Sequence, residues 1–357
     1  MMRNIAIIGC LICSITLSAQ TKVTKRIATK SNNYGVTYFL PKTTFIVEAE
    51  VAKTVRHAGQ YYMYAEKHLG ATPQITEDNT SYELKKVTLT NKGVPDSDQS
   101  FTVEFKAGTA APFVYLTEDG LICTINADYT APKPATTTSE QTKPRATTSS
   151  ANVLSEELLM AGSTARQAEV AAKQIYRIRE SRMNILTGDA DNMPPDGEAM
   201  KLVIQQLEDQ EKALMNLFYG TETTETSTCE LTVVPVDDVE KDVLFRFSTK
   251  LGVLEADDLG GDPVYMDMQV TERAPVLDAK EAQKKEKNMK GIIYNLPGKA
   301  AINIYLGTRT LYQGEQQVTQ FGTQESLAQT MLDDKKSASP VKVYFYPETG
   351  AIRQIIQ

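Results

Sequence analysis

The chain has 357 residues, 41% hydrophobic and 23% charged, which excludes collagen-like, wholly disordered and polytopic membrane classes. A formal net charge of −7 argues against a nucleic-acid partner. With two His and no Trp, a histidine-rich metal centre or a His relay has little to draw on.

Residues 1–20, MMRNIAIIGCLICSITLSAQ, join Arg3, an apolar run from Ile5 to Leu17 and then small residues. That is the plan of a secretory signal peptide cleaved after Ala19, leaving Gln20 first. The run is shorter than the roughly 20 residues a membrane span needs. Ile7-Ile8-Gly9-Cys10 has the look of a lipid-attachment box, but too little apolar segment precedes Cys10, so a lipid anchor there is disfavoured. Cys13 matches less well. The expectation is an exported protein, periplasmic or extracellular, with no transmembrane segment in the mature chain. Cleavage leaves two cysteines, Cys123 and Cys229. In an oxidising compartment they could pair; equally, both could be small strand residues that never meet, and geometry decides. In the mature chain no CxxC or HxxxH spacing offers a zinc site.

Residues 34–130 read as a first β unit. Thr43–Val51 alternates Phe45, Val47, Ala49 and Val51 against Glu48 and Glu50, the period of a half-buried strand. Tyr82–Thr90, Ser100–Lys106 and Pro112–Ile125 follow the same pattern, and Gln60–Leu69 suggests a short helix ended by Gly70. Residues 131–152 are rich in Pro, Thr and Ser and too polar to offset their ordering entropy, so they read as a linker.

Residues 153–220 switch to a helical period. Ala165–Leu186 and Glu198–Phe218 form two helices separated by the breaker cluster Thr187–Gly197, so an antiparallel helical hairpin is predicted. Arg179 and Arg182 fall on the apolar face of the first helix with Ala168, Ile175, Ile178 and Leu186, and Glu211 falls on that of the second with Leu207, Leu214 and Phe218. Charges on an apolar face need partners. A turn near residue 192 sets Arg182 and Glu211 too far apart to pair, which turns the arginines toward the Asp189–Asp196 loop or toward solvent. The hairpin is expected to dock on the β-rich part. Residues 221–357 return to strand character as a second β unit, with Phe245–Leu254 a further β-hairpin and the charged stretch 273–290 a solvated loop or helix.

The most specific feature is internal similarity. Gly35-Val36-Thr37-Tyr38-Phe39-Leu40-Pro41 matches Gly291-Ile292-Ile293-Tyr294-Asn295-Leu296-Pro297, and Tyr115–Ile122 matches Phe345–Ile352 around Gly120 and Gly350. Each closing match is a Gly-turned β-hairpin. The two matches occur in the same order, so the β units are read as duplicates packed about a pseudo-two-fold. The fold class is therefore α+β: two related, mostly antiparallel β units with an inserted antiparallel helical hairpin.

Chemical motifs are scarce. There is no GxSxG elbow, P-loop or HExxH. His57 and His68 sit in a tyrosine-rich stretch without a nucleophile to serve, and read as surface or packing residues. Asp189, Asp191 and Asp196 are weak candidates for a metal, because an EF-hand register from Asp189 puts Met193, Pro194 and Met200 where ligands or glycine are required. No catalytic residue and no cofactor can be assigned. The segments YGVTYFLPKT, IYRIRESRMNILTGDADNMPPDGEAM, LEDQEKALMNLFYG and VYFYPETGAIRQI resemble a family of uncharacterised exported proteins of Bacteroidetes-type bacteria, a domain of unknown function. The resemblance implies export and one full-length architecture but no activity. The function expected is non-enzymatic, binding or assembly in the cell envelope with a protein or glycan partner, since duplicated β units leave edges and grooves to offer. The alternative is a carboxylate-based or metal-assisted hydrolase of glycan or peptide.

Overall fold

A computed structural model describes residues 34–105, 114–129, 156–192, 197–289, 291–327 and 341–356. The proposed leader, with Cys10 and Cys13, the linker 131–152 and Asp196 lie outside the described residues.

Both repeats open on a long strand whose alternating apolar residues line one core. Strand β1 (Tyr34–His57) pairs antiparallel with β2 (Asn79–Phe105), and β9 (Ile292–Leu306) pairs antiparallel with β10 (Arg309–Leu327). Each opening strand takes its other neighbour from the intervening chain: β5 (Thr221–Val233) beside β1, and β8 (Asp262–Glu272) beside β9. Beyond β8 lie β6 (Val239–Ser248) and β7 (Gly252–Leu254), the further hairpin expected from the sequence. The resulting sheets, β2-β1-β5 and β10-β9-β8-β6-β7, share a core of Phe45, Val47, Ala49, Leu84, Phe245, Met266, Ile302 and Ile304. Burying such side chains contributes roughly 1.5–3 kcal/mol each.

The repeats also share an irregularity. Leu40 stands opposite four residues of β2, Asp96–Gln99, between the pairs Phe39↔Ser100 and Pro41↔Pro95. Pro297 likewise stands opposite four residues of β10, Thr319–Gly322, between Leu296↔Thr323 and Gly298↔Val318. Proline lacks the N–H that a ladder needs, so both ladders open at the Leu-Pro step and the partner strand loops out.

The closing hairpins, β3 (Val114–Leu116) with β4 (Ile122–Ile125) and β11 (Lys342–Phe345) with β12 (Ile352–Ile356), join in one antiparallel sheet of order β12-β11-β4-β3. Because β3 corresponds to β11 and β4 to β12, this order repeats rather than mirrors. The hairpins are related by a step of two strands along the sheet, which corrects the expected two-fold for this layer. A second core, with Tyr38, Leu40, Ile125, Ile292, Val343 and Phe345, joins this sheet to the starts of β1 and β9. Tyr38 pins the two repeats directly, since its buried hydroxyl accepts from the Ile293 N–H at 2.8 Å and donates to the Ile293 carbonyl at 2.9 Å.

The connection from β1 to β2 holds a 3-10 turn (Tyr62–Tyr64) and α1 (Ala65–Leu69), stopped by Gly70 at φ 71°. After α2 (Glu156–Leu159) come the two helices of the hairpin, α3 (Thr164–Thr187) and α4 (Gly197–Tyr219). Ser163 caps α3 by accepting from the Arg166 N–H, and Gly188 ends it at φ 82°. The hairpin packs on the helical connection between β1 and β2 rather than on a sheet face: Ala168, Ala172, Ile175, Leu214 and Phe218 close a third core over Tyr61 and Ala65. The Tyr61 N–H donates to the Leu217 carbonyl at 2.6 Å. The charged stretch after β8 forms α5 (Ala279–Asn288).

Candidate interaction site

A cleft of about 330 Å³ lies where α5 crosses the four-residue loop-out of β10. Three ties bring that helix there. The Ala274 N–H donates to the Phe321 carbonyl at 2.9 Å, the Arg273 guanidinium sits 4.9 Å from the centre of the Phe321 ring, and Lys285 Nζ donates to Thr323 Oγ1 at 2.6 Å. Gly322 lets the loop-out press against the Leu296-Pro297 backbone, because a Cβ there would overlap the Leu296 carbonyl. The first repeat supplies Gln99, from its own loop-out, and Gln324 Nε2 donates to Gln99 Oε1 at 3.0 Å across the junction. Lys285 also faces Glu325 at 3.2 Å, which balances its charge. Leu277, Ala282 and Met289 form the apolar wall.

At one wall stands Asn295, 6% exposed. Its Nδ2 donates to the Pro41 carbonyl at 3.2 Å and to the Thr349 carbonyl at 3.0 Å. Both amide hydrogens are therefore committed, and Oδ1 is the polar atom left to face the cleft. A second cleft, about 720 Å³, lies where α4 passes into β5, but Arg56 and Glu222 on its wall neutralise each other at 2.5 Å.

The other exposed feature is the edge of β5. It pairs with β1 through thirteen consecutive residues, Phe45↔Val233 to His57↔Thr221, with no bulge. It ends its sheet, and Thr221–Thr228 are exposed on both faces. Natural edges are commonly blunted by Lys, Pro, bulges or a covering element. β5 has no Lys, Pro or bulge, and among the described residues no strand pairs with its outer side. Its charges are Glu222, Glu225 and Glu230.

The charged residues on the helix faces meet one another, which corrects the sequence reading. Arg179 Nε donates to Glu211 Oε1 at 2.6 Å and Arg182 reaches Glu211 Oε2 at 3.0 Å, with Glu208 at 3.7 Å. The level pairing of Arg179 with Glu211 centres the two helices three residues beyond the position 192 that the sequence suggested. Moving that centre by three residues shifts facing positions by six, about 9 Å along a helix. Asp189 and Asp191 are exposed, and the described residues contain no group of three or more His, Cys, Asp or Glu that could hold a metal ion. Cys123 and Cys229 are free thiols in different sheets, so the possible disulfide is not formed. His57 lies 3.2 Å from Asp78 at the surface; the Ala58 N–H first, then His57, hold the Asp78 carboxyl below its ordinary range. The His68 carbonyl accepts from the Tyr176 hydroxyl at 3.0 Å.

Asn295, Gln99, Gln324 and Lys285 were not singled out by the sequence. The repeat alignment does set Asn295 against Phe39, one of two non-conservative differences in the opening stretch, the other being Ile293 against Thr37.

These features define a class: an α+β protein of two repeated β units, each flanked by a strand from the intervening chain, with a helical hairpin docked on the first. A family described as Domain of unknown function, DUF4831, matches residues 34–353, and the chain belongs to that family. No curated protein and no solved structure matches it. Among the described residues, no helix is long and apolar enough to cross a membrane.

Proposed function

We propose that this is an exported, non-enzymatic binding or assembly protein of the cell envelope, and that it engages an extended partner segment by strand addition along β5. The observation that carries this reading is the edge itself, thirteen unbulged residues exposed on both faces over their first eight. Strand addition draws affinity from main-chain hydrogen bonds and selectivity from the flanking side chains. With Glu225 and Glu230 along it, in addition to Glu222 that already pairs with Arg56, the edge selects a basic segment over an acidic one. Export rests on the leader plan of residues 1–19, and the Bacteroidetes-type source on the resemblance of the quoted segments.

A labelled peptide of alternating Lys and Thr, with an alternating Glu and Thr peptide as control, tests the binding reading by fluorescence anisotropy. The basic peptide should bind saturably, and a Glu222→Lys, Glu225→Lys, Glu230→Lys variant should lose it and gain the acidic one. Equal binding of the basic peptide to both proteins, or none to either, removes the proposal. The mass of the protein recovered from the exported fraction should begin at Gln20; an intact Met1 in that fraction rules out cleavage.

A further inference from the structure

The geometry points to the cleft beneath α5 as a binding site for a neutral saccharide of one or two rings. The duplication places an aromatic and an amide in equivalent positions. Phe39 and Asn295 occupy the same place in the two repeats, and each donates its backbone N–H to the turn glycine of its closing hairpin, Phe39 to Gly120 at 3.0 Å and Asn295 to Gly350 at 3.1 Å. The backbone contact is thus made equally well with an aromatic side chain, whose ring packs on Gly120. Nothing in that contact demands an amide at residue 295; what the Nδ2 bonds add is a tie to the Pro41 and Thr349 carbonyls, and they leave Oδ1 without a donor. The second repeat nevertheless carries that amide. It is held by two carbonyls and lines an open cleft with Oδ1 left to accept.

The surroundings define the ligand. Beside the bond that joins them, Gln99 can still donate through Nε2 and Gln324 accept through Oε1, and the Thr323 hydroxyl can donate, whereas the Thr319 hydroxyl is taken by Thr43 and Gln320; the one lining cation, Lys285, is balanced by Glu325 and occupied by Thr323. An anion finds no free positive charge on this wall. Leu277 at the rim and Met289 add apolar surface opposite the amides. A sugar ring matches this mixture, since its hydroxyls both donate and accept and its C–H faces are apolar. The volume, about 330 Å³, is within the range of small-molecule sites. The site is independent of the β5 edge, so either reading can fail without the other.

The test is titration calorimetry of the full chain with cellobiose, maltose, lactose and N,N′-diacetylchitobiose. At least one should bind, and Asn295→Phe, which installs the other repeat's residue, should weaken it about tenfold or more. Leu277→Arg, at the rim, should do the same without touching the buried amide, which keeps the test decisive where Asn295→Phe fails to fold. Leu259→Arg, at a distant exposed leucine, should leave affinity unchanged. Absence of binding to all four sugars at about 10 mM, or binding that survives Leu277→Arg undiminished, overturns the inference.

Discussion

Asn295 and Phe39 are counterparts: each gives its N–H to the turn glycine of its own repeat, Gly350 and Gly120 respectively. Both glycines have positive φ, 69° and 83°, and both lie under the side chain of the residue that bonds them. At Gly350 a Cβ would come within 2.8 Å of Pro41 Cδ, part of a rigid ring. Gly350→Ala should therefore cost about 2–4 kcal/mol, the left-handed strain plus overpacking. Gly188→Ala separates the two, because φ there is 82° but nothing lies within 4 Å, and it should cost only about 1–2 kcal/mol. Urea unfolding of both variants measures the difference. Equal losses would show that the Pro41 contact yields freely.

Glu211 joins the helices by taking Arg179 on one oxygen and Arg182 on the other, with its side chain 12% exposed. Removing it leaves Arg179 without its carboxylate and Arg182 with only the more distant Glu208, at 3.7 Å. Glu211→Ala should destabilise the protein by about 1–3 kcal/mol. A double-mutant cycle of Glu211→Ala with Arg179→Ala should return a coupling of about 1–2 kcal/mol that shrinks in high salt, because Arg179 is 39% exposed and partly screened. A coupling near zero would mean that the pair only decorates the interface.

The strands, the helical hairpin and the duplication were legible because each rests on local periodicity or on repeated residues. Phe45, Val47, Ala49 and Val51 alternate where β1 is buried, and Gly120 and Gly350 mark turns that only glycine makes easily. What was not legible depends on register. Whether Arg182 reaches Glu211 turns on a few residues of loop, and a loop's centre is not encoded in helix periodicity. The stepped order of the closing hairpins is set by which edges meet in space, and identical hairpins allow either order. The cleft was hidden for a related reason: Gln99 and Gln324 come from separate repeats and meet only because both ladders open at a Leu-Pro step. The Phe-to-Asn difference between repeats was visible, but its consequence required knowing that α5 lies over it.

The two thiols should differ in reactivity. Cys123 is fully buried in β4, and burial pushes its thiol up to about 11, so almost none is thiolate at pH 8. Cys229 is half-buried on the exposed edge strand β5. Iodoacetamide on the native protein should modify Cys229 first, with Cys123 alkylated only in denaturant and without added reductant. Comparable rates at the two sites, or a need for reductant, would contradict the placement of these residues.

Glu169 on α3 gives a pH signature. The hydrogen bond from Lys173 first, then that from Arg166, holds its carboxyl well below the ordinary value, at about 2. A carboxylate depressed in the folded state contributes stability above its unfolded pKa and loses it as pH falls toward the folded one. The loss from this group therefore runs from near pH 4.5 down to about 2. Because the carboxylate is partly open to solvent, salt screens the effect, and about 1 M salt should raise the midpoint. Carboxyl-detected NMR titration should place Glu169 near 2, and Lys173→Met should move it upward more than Arg166→Met does. The acid limb of the stability curve should flatten over the same window in Lys173→Met. A midpoint unmoved by Lys173→Met would assign the depression to Arg166 alone and would leave that limb unchanged.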